Sequence, residues 1–154
     1  MAALLGSKVV AFDSDEACIA QLYHDAKEKN LPILPLLMDF RFPSPGYGLC
    51  DKGGLPATVR FQCDLVLALA LVHHVVFEGH FNFELIAKGL SDFSRRWLLV
   101  EFVPKEDRFV SQWWSPRYSW YTLDNFMKEL THQFRSVRIY SSHPAPRVLL
   151  LCEK

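Results

Sequence analysis

Short apolar runs alternate with amphipathic stretches along most of this chain. Four of these runs are predicted strands, at residues 7–12, 33–38, 63–71 and 97–103. Three stretches carry apolar side chains at the three- and four-residue spacing of a helix, at residues 16–30, 83–93 and 122–134, and Thr122 is the predicted N-cap of the last. Strands that alternate with helices predict an α/β domain with a mostly parallel sheet.

The end of the chain departs from this alternation. Two short apolar runs, 137–140 and 148–151, flank a turn that contains Pro144 and Pro146. A parallel crossover needs a dozen or more residues, so this connection predicts an antiparallel C-terminal hairpin. Residues 40–57 and 104–121 are irregular segments, the first rich in Pro and Gly and the second in aromatic side chains. Such segments are candidates for determining ligand specificity.

The size and charge of the chain restrict its class. Its 154 residues correspond to one domain, so we predict a single domain over residues 1–154. The 17 basic residues balance the 17 acidic residues, which argues against a dedicated nucleic-acid or anionic-membrane binder. The hydrophobic share of 50% is high for a neutral monomer. We therefore expect part of the apolar surface to be covered by a partner chain, for example in a homo-oligomer.

The cysteines and the N-terminus indicate a cytoplasmic protein. Four cysteines are present without a CxxC spacing, at positions 18, 50, 63 and 152. The apolar start lacks the positive region and the long apolar core of a secretory leader. The longest apolar stretch, residues 65–72, is far shorter than the roughly 20 residues that span a bilayer. Reduced thiols in the cytoplasm are the simplest interpretation.

Acids follow two of the predicted strands. Asp13 and Asp39 occupy these positions, where a carboxylate can accept hydrogen bonds from ribose hydroxyls. Asp is also a common turn and cap residue, and Asp15 is the predicted N-cap of the first helix. The Asp13-Ser14-Asp15 segment also matches the acid pair of haloacid-dehalogenase-type phosphatases. That alternative needs a later Mg²⁺-binding cluster, which residues 104–107 match only in part.

His73 and His74 follow the third predicted strand, where a loop is expected to begin. Neutral imidazole is a plausible general base, because its ordinary pKa is about 6.5. Adjacent histidines point in different directions, and no HxxxH or HExxH pattern supports a metal site. The alternative is one packed histidine and one solvated histidine.

The order of these segments resembles a class I S-adenosylmethionine-dependent methyltransferase. Four segments carry the resemblance, namely Lys8-Val-Val-Ala-Phe-Asp13, Ile33-Leu-Pro-Leu-Leu-Met-Asp39, Cys63-Asp64-Leu-Val-Leu-Ala-Leu-Ala-Leu-Val-His73-His74 and Leu98-Leu-Val-Glu101-Phe-Val-Pro-Lys105-Glu-Asp107. Together with Tyr121-Thr-Leu and the late Pro146-Arg147, they look like the bacterial branch of nodulation-protein-type methyltransferases. The resemblance covers nearly the whole chain and implies a Rossmann-like sheet.

The resemblance also implies a cofactor site and a catalytic site. Asp13 and Ser14 would bind the ribose of S-adenosylmethionine, and Asp39 with Phe40 would flank its adenine. Leu69 and Ala70 would line the methionine side of the cofactor. His73 and His74 would lie near the transferred methyl group, with Glu101 as a further candidate base for a small-molecule acceptor. No metal is implied.

One element of this family is missing from the sequence. The first strand of these enzymes precedes a glycine-rich turn that lets the backbone approach the cofactor. The only glycine before residue 46 is Gly6. The missing strand would lie between strands 7–12 and 63–71, so these strands pair directly, another chain supplies the strand, or the chain is a fragment. We favour an N-terminally truncated domain with weak or absent cofactor binding; the alternative is a non-catalytic binding or assembly module.

Overall fold

The computed structural model describes residues 3–154 and divides the chain into two compact units, Met1–Phe61 and Gln62–Lys154. Each unit contains its own β-sheet. The prediction of one domain over the whole chain remains a prediction. No helix among residues 3–154 is long and apolar enough to cross a bilayer.

The first unit contains one β-α-β element. Strands β1 (Val9–Asp13) and β2 (Ile33–Leu37) are parallel, and helix α1 (Glu16–Glu28) connects them. Asp15 accepts hydrogen bonds from the backbone N–H groups of Ala17 and Cys18, so it caps α1 as the sequence predicts.

The segment after β2 is mostly irregular, as expected from its prolines and glycines. It contains a single 3₁₀ turn at Leu49–Asp51 and ends in the short helix α2 (Ala57–Arg60). Gly48 has a φ of 90°, and a Cβ there would lie 2.7 Å from the Gly53 backbone. Glycine at position 48 is therefore required by the tight approach of these two backbones.

The second unit has a four-stranded mixed sheet. Its strands are β3 (Cys63–Ala68), β4 (Ser94–Phe102), β5 (Ser136–Ser141) and β6 (Val148–Glu153), in the spatial order β3-β4-β6-β5. Strands β3 and β4 are parallel, whereas β6 runs antiparallel to both β4 and β5. The antiparallel hairpin is confirmed. This sheet therefore has one parallel and two antiparallel strand pairs, rather than being mostly parallel, because β6 inserts between β4 and β5.

Three helices of the second unit contribute to its core, namely α3 (Val72–Phe77), α4 (Phe83–Phe93) and α5 (Leu123–Gln133). Helix α4 has the predicted bounds, and Thr122 caps α5 as predicted. The expectation that a loop begins at His73 is wrong. Both histidines lie on α3, because Val72, Val75 and Val76 have the spacing of a helix and are buried.

The core of the second unit is aromatic. Phe83 and Phe126 have ring centroids 4.9 Å apart, and Phe102 stacks against Tyr121 at 5.1 Å. The hydroxyl of Tyr121 donates a 2.8 Å hydrogen bond to the Val103 carbonyl, so the buried phenol is satisfied. The irregular segment 104–121 contains two 3₁₀ turns, Val110–Gln112 and Pro116–Tyr118.

Strand β3 forms one edge of its sheet. Among the described residues it pairs with β4 alone, and β1 pairs with β2 alone. Three leucines on or just after β3 are exposed, with fractions of 48%, 53% and 56% for Leu65, Leu67 and Leu69.

Candidate functional site

His73 and His74 occupy the first turn of α3, just beyond the carboxyl end of β3. His73 is only 5% exposed, whereas the His74 side chain is 47% exposed. His74 Nδ1 lies 2.7 Å from Glu78 Oε1, one turn along the helix. The alternative of one packed histidine and one solvated histidine describes this arrangement.

The ring of His73 is buried, and one of its two nitrogens, Nδ1, lacks a hydrogen-bond partner among the described residues. The Trp113 ring stacks on the imidazole with centroids 6.0 Å apart, and the His74 ring lies at 4.3 Å. Burial, followed by the charge of His74, lowers the pKa of His73 to about 4. The imidazole is therefore neutral at neutral pH, and it presents an unsatisfied nitrogen beside an aromatic ring.

Glu101 is buried and already hydrogen-bonded through both carboxylate oxygens. The backbone N–H of Ala70 donates to Oε2 at 3.1 Å, and the Ser142 hydroxyl donates to Oε1 at 2.8 Å. The carboxylate of Glu101 thus connects the turn before α3 to the end of the β5–β6 hairpin. These contacts leave it poorly suited to take a proton from a substrate.

Arg147 lies between two buried carboxylates. Its Nε donates to Asp107 Oδ2 at 2.9 Å, and its Nη1 lies 3.8 Å from Glu101 Oε2. Asp107 also accepts a hydrogen bond from the Phe109 N–H. Burial acts to raise the pKa of Asp107, but the hydrogen bonds from Arg147 and Phe109 outweigh it and hold the pKa below its usual range. Buried charges of this kind are stable only when paired.

Asp107, Arg147 and Ser142 were not identified as site residues from the sequence. Asp107 and Arg147 are charged residues next to predicted strands, and this feature could have marked them as candidates. Their pairing was not visible, because the two residues are 40 positions apart and meet only through the sheet order. Trp113 lies in the aromatic segment 104–121, which was named from the sequence as a candidate for ligand specificity. Its contact with His73 could not be predicted from sequence spacing.

Leu69 and Ala70, the predicted residues of the methionine side, form the turn that leads from β3 to α3. Both are exposed, and Ala70 adopts a φ of 52°. This left-handed conformation is uncommon for a residue with a Cβ. The hydrogen bond from Ala70 N–H to Glu101 holds the turn in place.

In the first unit, Asp13 and Asp39 lie at the same edge of the two-stranded sheet. Asp13 ends β1 and pairs in register with Leu37 of β2, two residues before Asp39. One oxygen of Asp13 accepts a hydrogen bond from the Asp15 N–H across Ser14. These two predicted cofactor residues are thus brought to one edge, as parallel pairing requires.

An open cavity of about 460 Å³ lies at the end of β2. Its lining consists of Leu36, Leu37, Met38, Asp39, Phe42, Ser44, Arg60 and Phe61. Both carboxylate oxygens of Asp39 accept hydrogen bonds from the Arg41 side chain, which holds the pKa of that carboxyl below its usual range. Two aromatic rings, Phe42 and Phe61, belong to the lining, whereas the predicted Phe40 does not. The volume is within the range of small-molecule sites.

The described residues contain no group of three or more side chains suited to hold a metal ion. Asp15 uses its carboxylate to cap α1, so it has a local structural role. The acid pair of the phosphatase alternative therefore gains no support from its surroundings.

No protein-family model matches this chain. The fold matches solved structures of WbdD, described as a bifunctional kinase-methyltransferase. A crystal structure of monomeric WbdD gives a TM-score of 0.67 at 16% identity, and covers 97% of this chain and 32% of that chain. A second WbdD structure gives a TM-score of 0.66 at 16% identity, with 97% and 30% covered. The chain therefore has a mixed α/β fold similar to that of a kinase-methyltransferase.

The sequence is similar to Nodulation protein NoeA from Rhizobium meliloti (strain 1021). The two are 27% identical over 150 residues, which is 96% of this chain and 31% of NoeA. The resemblance to the nodulation-protein-type branch, predicted from the order of the segments, is confirmed. The chain spans about a third of the length of the proteins that it matches.

Proposed function

We propose that this chain is part of an S-adenosylmethionine-dependent methyltransferase that acts on a small-molecule acceptor. The observation that carries the proposal is the buried, unpartnered Nδ1 of His73, just beyond the carboxyl end of β3 in a sheet where β3 and β4 are parallel. Ligands of open α/β sheets bind at that edge. The similarity to WbdD and to NoeA favours methyl transfer over the other reactions that such a fold can host.

The residues present fit the nucleoside end of the cofactor. Asp13 offers a carboxylate to ribose hydroxyls, with Ser14 in the same turn, and the cavity beside Asp39 has room for a planar base next to Phe42. They do not provide the glycine-rich turn for the amino-acid end, because the sequence contains no such motif. We therefore expect weak binding by residues 1–154 alone.

The residues of the second unit would serve the acceptor side. The cofactor, when bound, supplies a methyl group on a positively charged sulfur, so the protein needs mainly to orient the acceptor and exclude water. Trp113 and the neutral imidazole of His73 would provide an apolar wall for the acceptor. His74 is more accessible and is the better placed of the two to exchange a proton with solvent. A Rossmann-like arrangement of the complete sheet is part of this proposal.

The proposal is tested by titrating the chain with S-adenosylhomocysteine and following backbone amide shifts by NMR. This method detects a Kd of about 1 mM, which corresponds to only about −4.1 kcal/mol. We expect shifts at residues 13–15 and 39–42, and at least a several-fold weaker affinity for Asp13→Asn. The matched control is Glu28→Gln, which removes a carboxylate at the other end of α1. A folded chain that shows no shifts up to the solubility limit contradicts a cofactor role for this chain.

A non-catalytic assembly module is the second candidate. The exposed Leu65 and Leu67 on edge strand β3, with the exposed Leu69 just after it, favour this candidate, since unpaired edges invite association with another chain. Sedimentation at increasing concentration tests this candidate. Association that Leu67→Lys abolishes, in a chain that binds no S-adenosylhomocysteine, supports the module; a monomer at all concentrations contradicts it.

A further inference from the structure

We propose that Glu101 is a positioning residue, which fixes the turn at Ala70 and through it the first turn of α3 that carries His73. This inference rests on the proposed function, in which His73 lies on the side of the site that binds the acceptor. It assigns to Glu101 a role other than the proton transfer that the sequence suggested.

The start of α3 lacks the N-terminal side-chain cap that α4 and α5 have. The side chains of Asn82 and Thr122 cap α4 and α5, respectively, by accepting backbone N–H groups. At α3 the N-cap residue is Leu71, which has no side-chain acceptor. The nearest fixed point is Ala70, one residue earlier, whose N–H is bound by Glu101 Oε2. Glu101 thus holds in place a helix start that its own cap cannot fix.

The conformation of Ala70 gives this contact its importance. A φ of 52° is unfavourable for alanine, so the turn would relax if nothing held it. His73 follows only three residues later. A relaxed turn would rotate or fray the first turn of α3 and displace the unpartnered Nδ1 of His73.

The carboxylate of Glu101 is itself held by two other side chains, those of Ser142 and Arg147. The Ser142 hydroxyl binds Oε1, and Arg147 lies beside Oε2 while it donates to Asp107. The carboxylate therefore joins the turn before α3, the segment after β4 and the β5–β6 hairpin. Both oxygens of Glu101 are hydrogen-bonded and its side chain is buried. Glu101 can therefore hold the Ala70 turn in a fixed position relative to the hairpin without taking part in proton transfer.

The test uses amide hydrogen exchange and the ¹⁵N signals of the His73 ring in the full chain without ligand. In Glu101→Ala we expect the Ala70 amide to exchange about ten-fold faster, the size expected for losing one net hydrogen bond, while the Val100 amide in β4 changes much less. The His73 ring signals should shift in the same variant. Glu101→Gln keeps an acceptor oxygen for Ala70 and should restore most of the protection. The matched control is Glu153→Gln, a carboxylate on β6 that pairs with Arg135 and should change neither readout.

Unchanged exchange at Ala70 in a folded Glu101→Ala variant would overturn the proposal. So would an equal acceleration at Ala70 and Val100, since that reports general destabilisation. If Glu101→Ala fails to fold, Glu101→Asp replaces it, because the shorter carboxylate cannot keep the 3.1 Å contact with Ala70 without a shift. All readouts are made without ligand, so a failure of S-adenosylhomocysteine to bind would count against the proposed function alone.

Discussion

The two units of this chain differ sharply in what they bury. In the second unit, Phe102, Phe126 and Tyr121 are almost completely enclosed. In the described part of the first unit, the buried side chains are all alanines, at positions 3, 26 and 57. Leu4, Leu5, Leu34 and Leu37 are exposed. The second unit has a core of its own, whereas the first has the local pattern of a β-α-β element without one.

Because of this difference, the unit that lacks a core of its own is also the unit that carries the candidate cofactor residues. A two-stranded sheet with one helix is marginal by itself, because it cannot bury enough apolar surface to offset the entropy of ordering the chain. Yet the acids proposed for the nucleoside, Asp13 and Asp39, lie in that unit. The His73 site has the opposite setting, since it is built on a dense core. We therefore expect perturbations of the two units to have very different consequences.

The largest effect should come from separating the units. A chain of residues 62–154 should unfold in one cooperative transition, because its sheet, helices and aromatic core are contained within it. A chain of residues 1–61 should show no cooperative transition. Circular dichroism with chemical denaturation measures both. A cooperative transition of the shorter chain would show that the first unit is stabilised by contacts other than apolar burial.

Two helical aromatic residues allow a direct comparison of packing. Phe126 on α5 is fully buried, whereas Tyr23 on α1 is 51% exposed. Phe126→Ala should lower the free energy of unfolding by about 3–5 kcal/mol through lost burial and a cavity. Tyr23→Ala should change it by less than about 1 kcal/mol. Equal losses in denaturant titrations would contradict the contrast between the units.

The sequence predicted those features of the fold that depend on neighbouring residues. The bounds of α4 followed from apolar spacing after Asn82, and Asp15 and Thr122 capped helices as expected. Helix α3 was missed because it is six residues long and its apolar residues continue the apolar run of β3, where helix and strand patterns are hard to distinguish. The insertion of β6 between β4 and β5 had no local signal.

The candidate site was predictable to a similar extent. Ala70 was predicted on the methionine side of the cofactor, with His73 near the transferred methyl group and Glu101 as a candidate base, and the structure brings Ala70 and Glu101 into contact. The partners of Glu101 were not predictable, since Ser142 and Arg147 approach it across more than 40 residues of chain. The burial of His73 beside Trp113 depends on how residues 104–121 fold over α3, which no spacing rule describes.

Two arginine–aspartate pairs extend the comparison to charges. In the second unit Asp107 is buried and the Arg147 side chain is 16% exposed, whereas the side chains of Arg41 and Asp39 in the first unit are 29% and 25% exposed. Arg147→Met leaves Asp107 and Glu101 without their cation and should cost about 3 kcal/mol. Arg41→Met should cost at most about 1 kcal/mol. Denaturant titration at neutral pH gives both values.

The pH dependence of the Arg147→Met effect provides a check on its cause. Because the pKa of Asp107 is lowered in the folded chain, the stabilisation is present above its usual pKa and is lost as the pH falls through the lowered value. The difference between the native chain and Arg147→Met should therefore shrink in acid. A difference that stays constant down to the acid transition would assign the loss to packing of the Arg147 side chain.

His73 should make the second unit sensitive to mild acid. Its pKa is lowered from 6.5 to about 4 in the folded chain, so the unfolded chain binds the extra proton between these values. The contribution of His73 to the free energy of unfolding is therefore fully present above pH 6.5. It falls toward pH 4 by at most about 1.4 kcal/mol per pH unit. His73→Gln should flatten this slope, whereas His143→Gln, an exposed histidine in the β5–β6 hairpin, should leave it unchanged. A slope that persists in His73→Gln would assign the sensitivity to another group.

The smallest effects are expected from the helix N-caps, which allow the same kind of interaction to be compared in the two units. Thr122 caps α5 in the second unit, and Asp15 caps α1 in the first. Thr122→Ala should lower the free energy of unfolding of the cooperative core by about 1 kcal/mol. Asp15→Ala removes a cap with two hydrogen bonds, yet it should leave that transition in place and reduce only the protection of the α1 amides against exchange. A shift of the main transition by Asp15→Ala as large as that by Thr122→Ala would mean that α1 unfolds together with the aromatic core, and the two units would then form one cooperative structure.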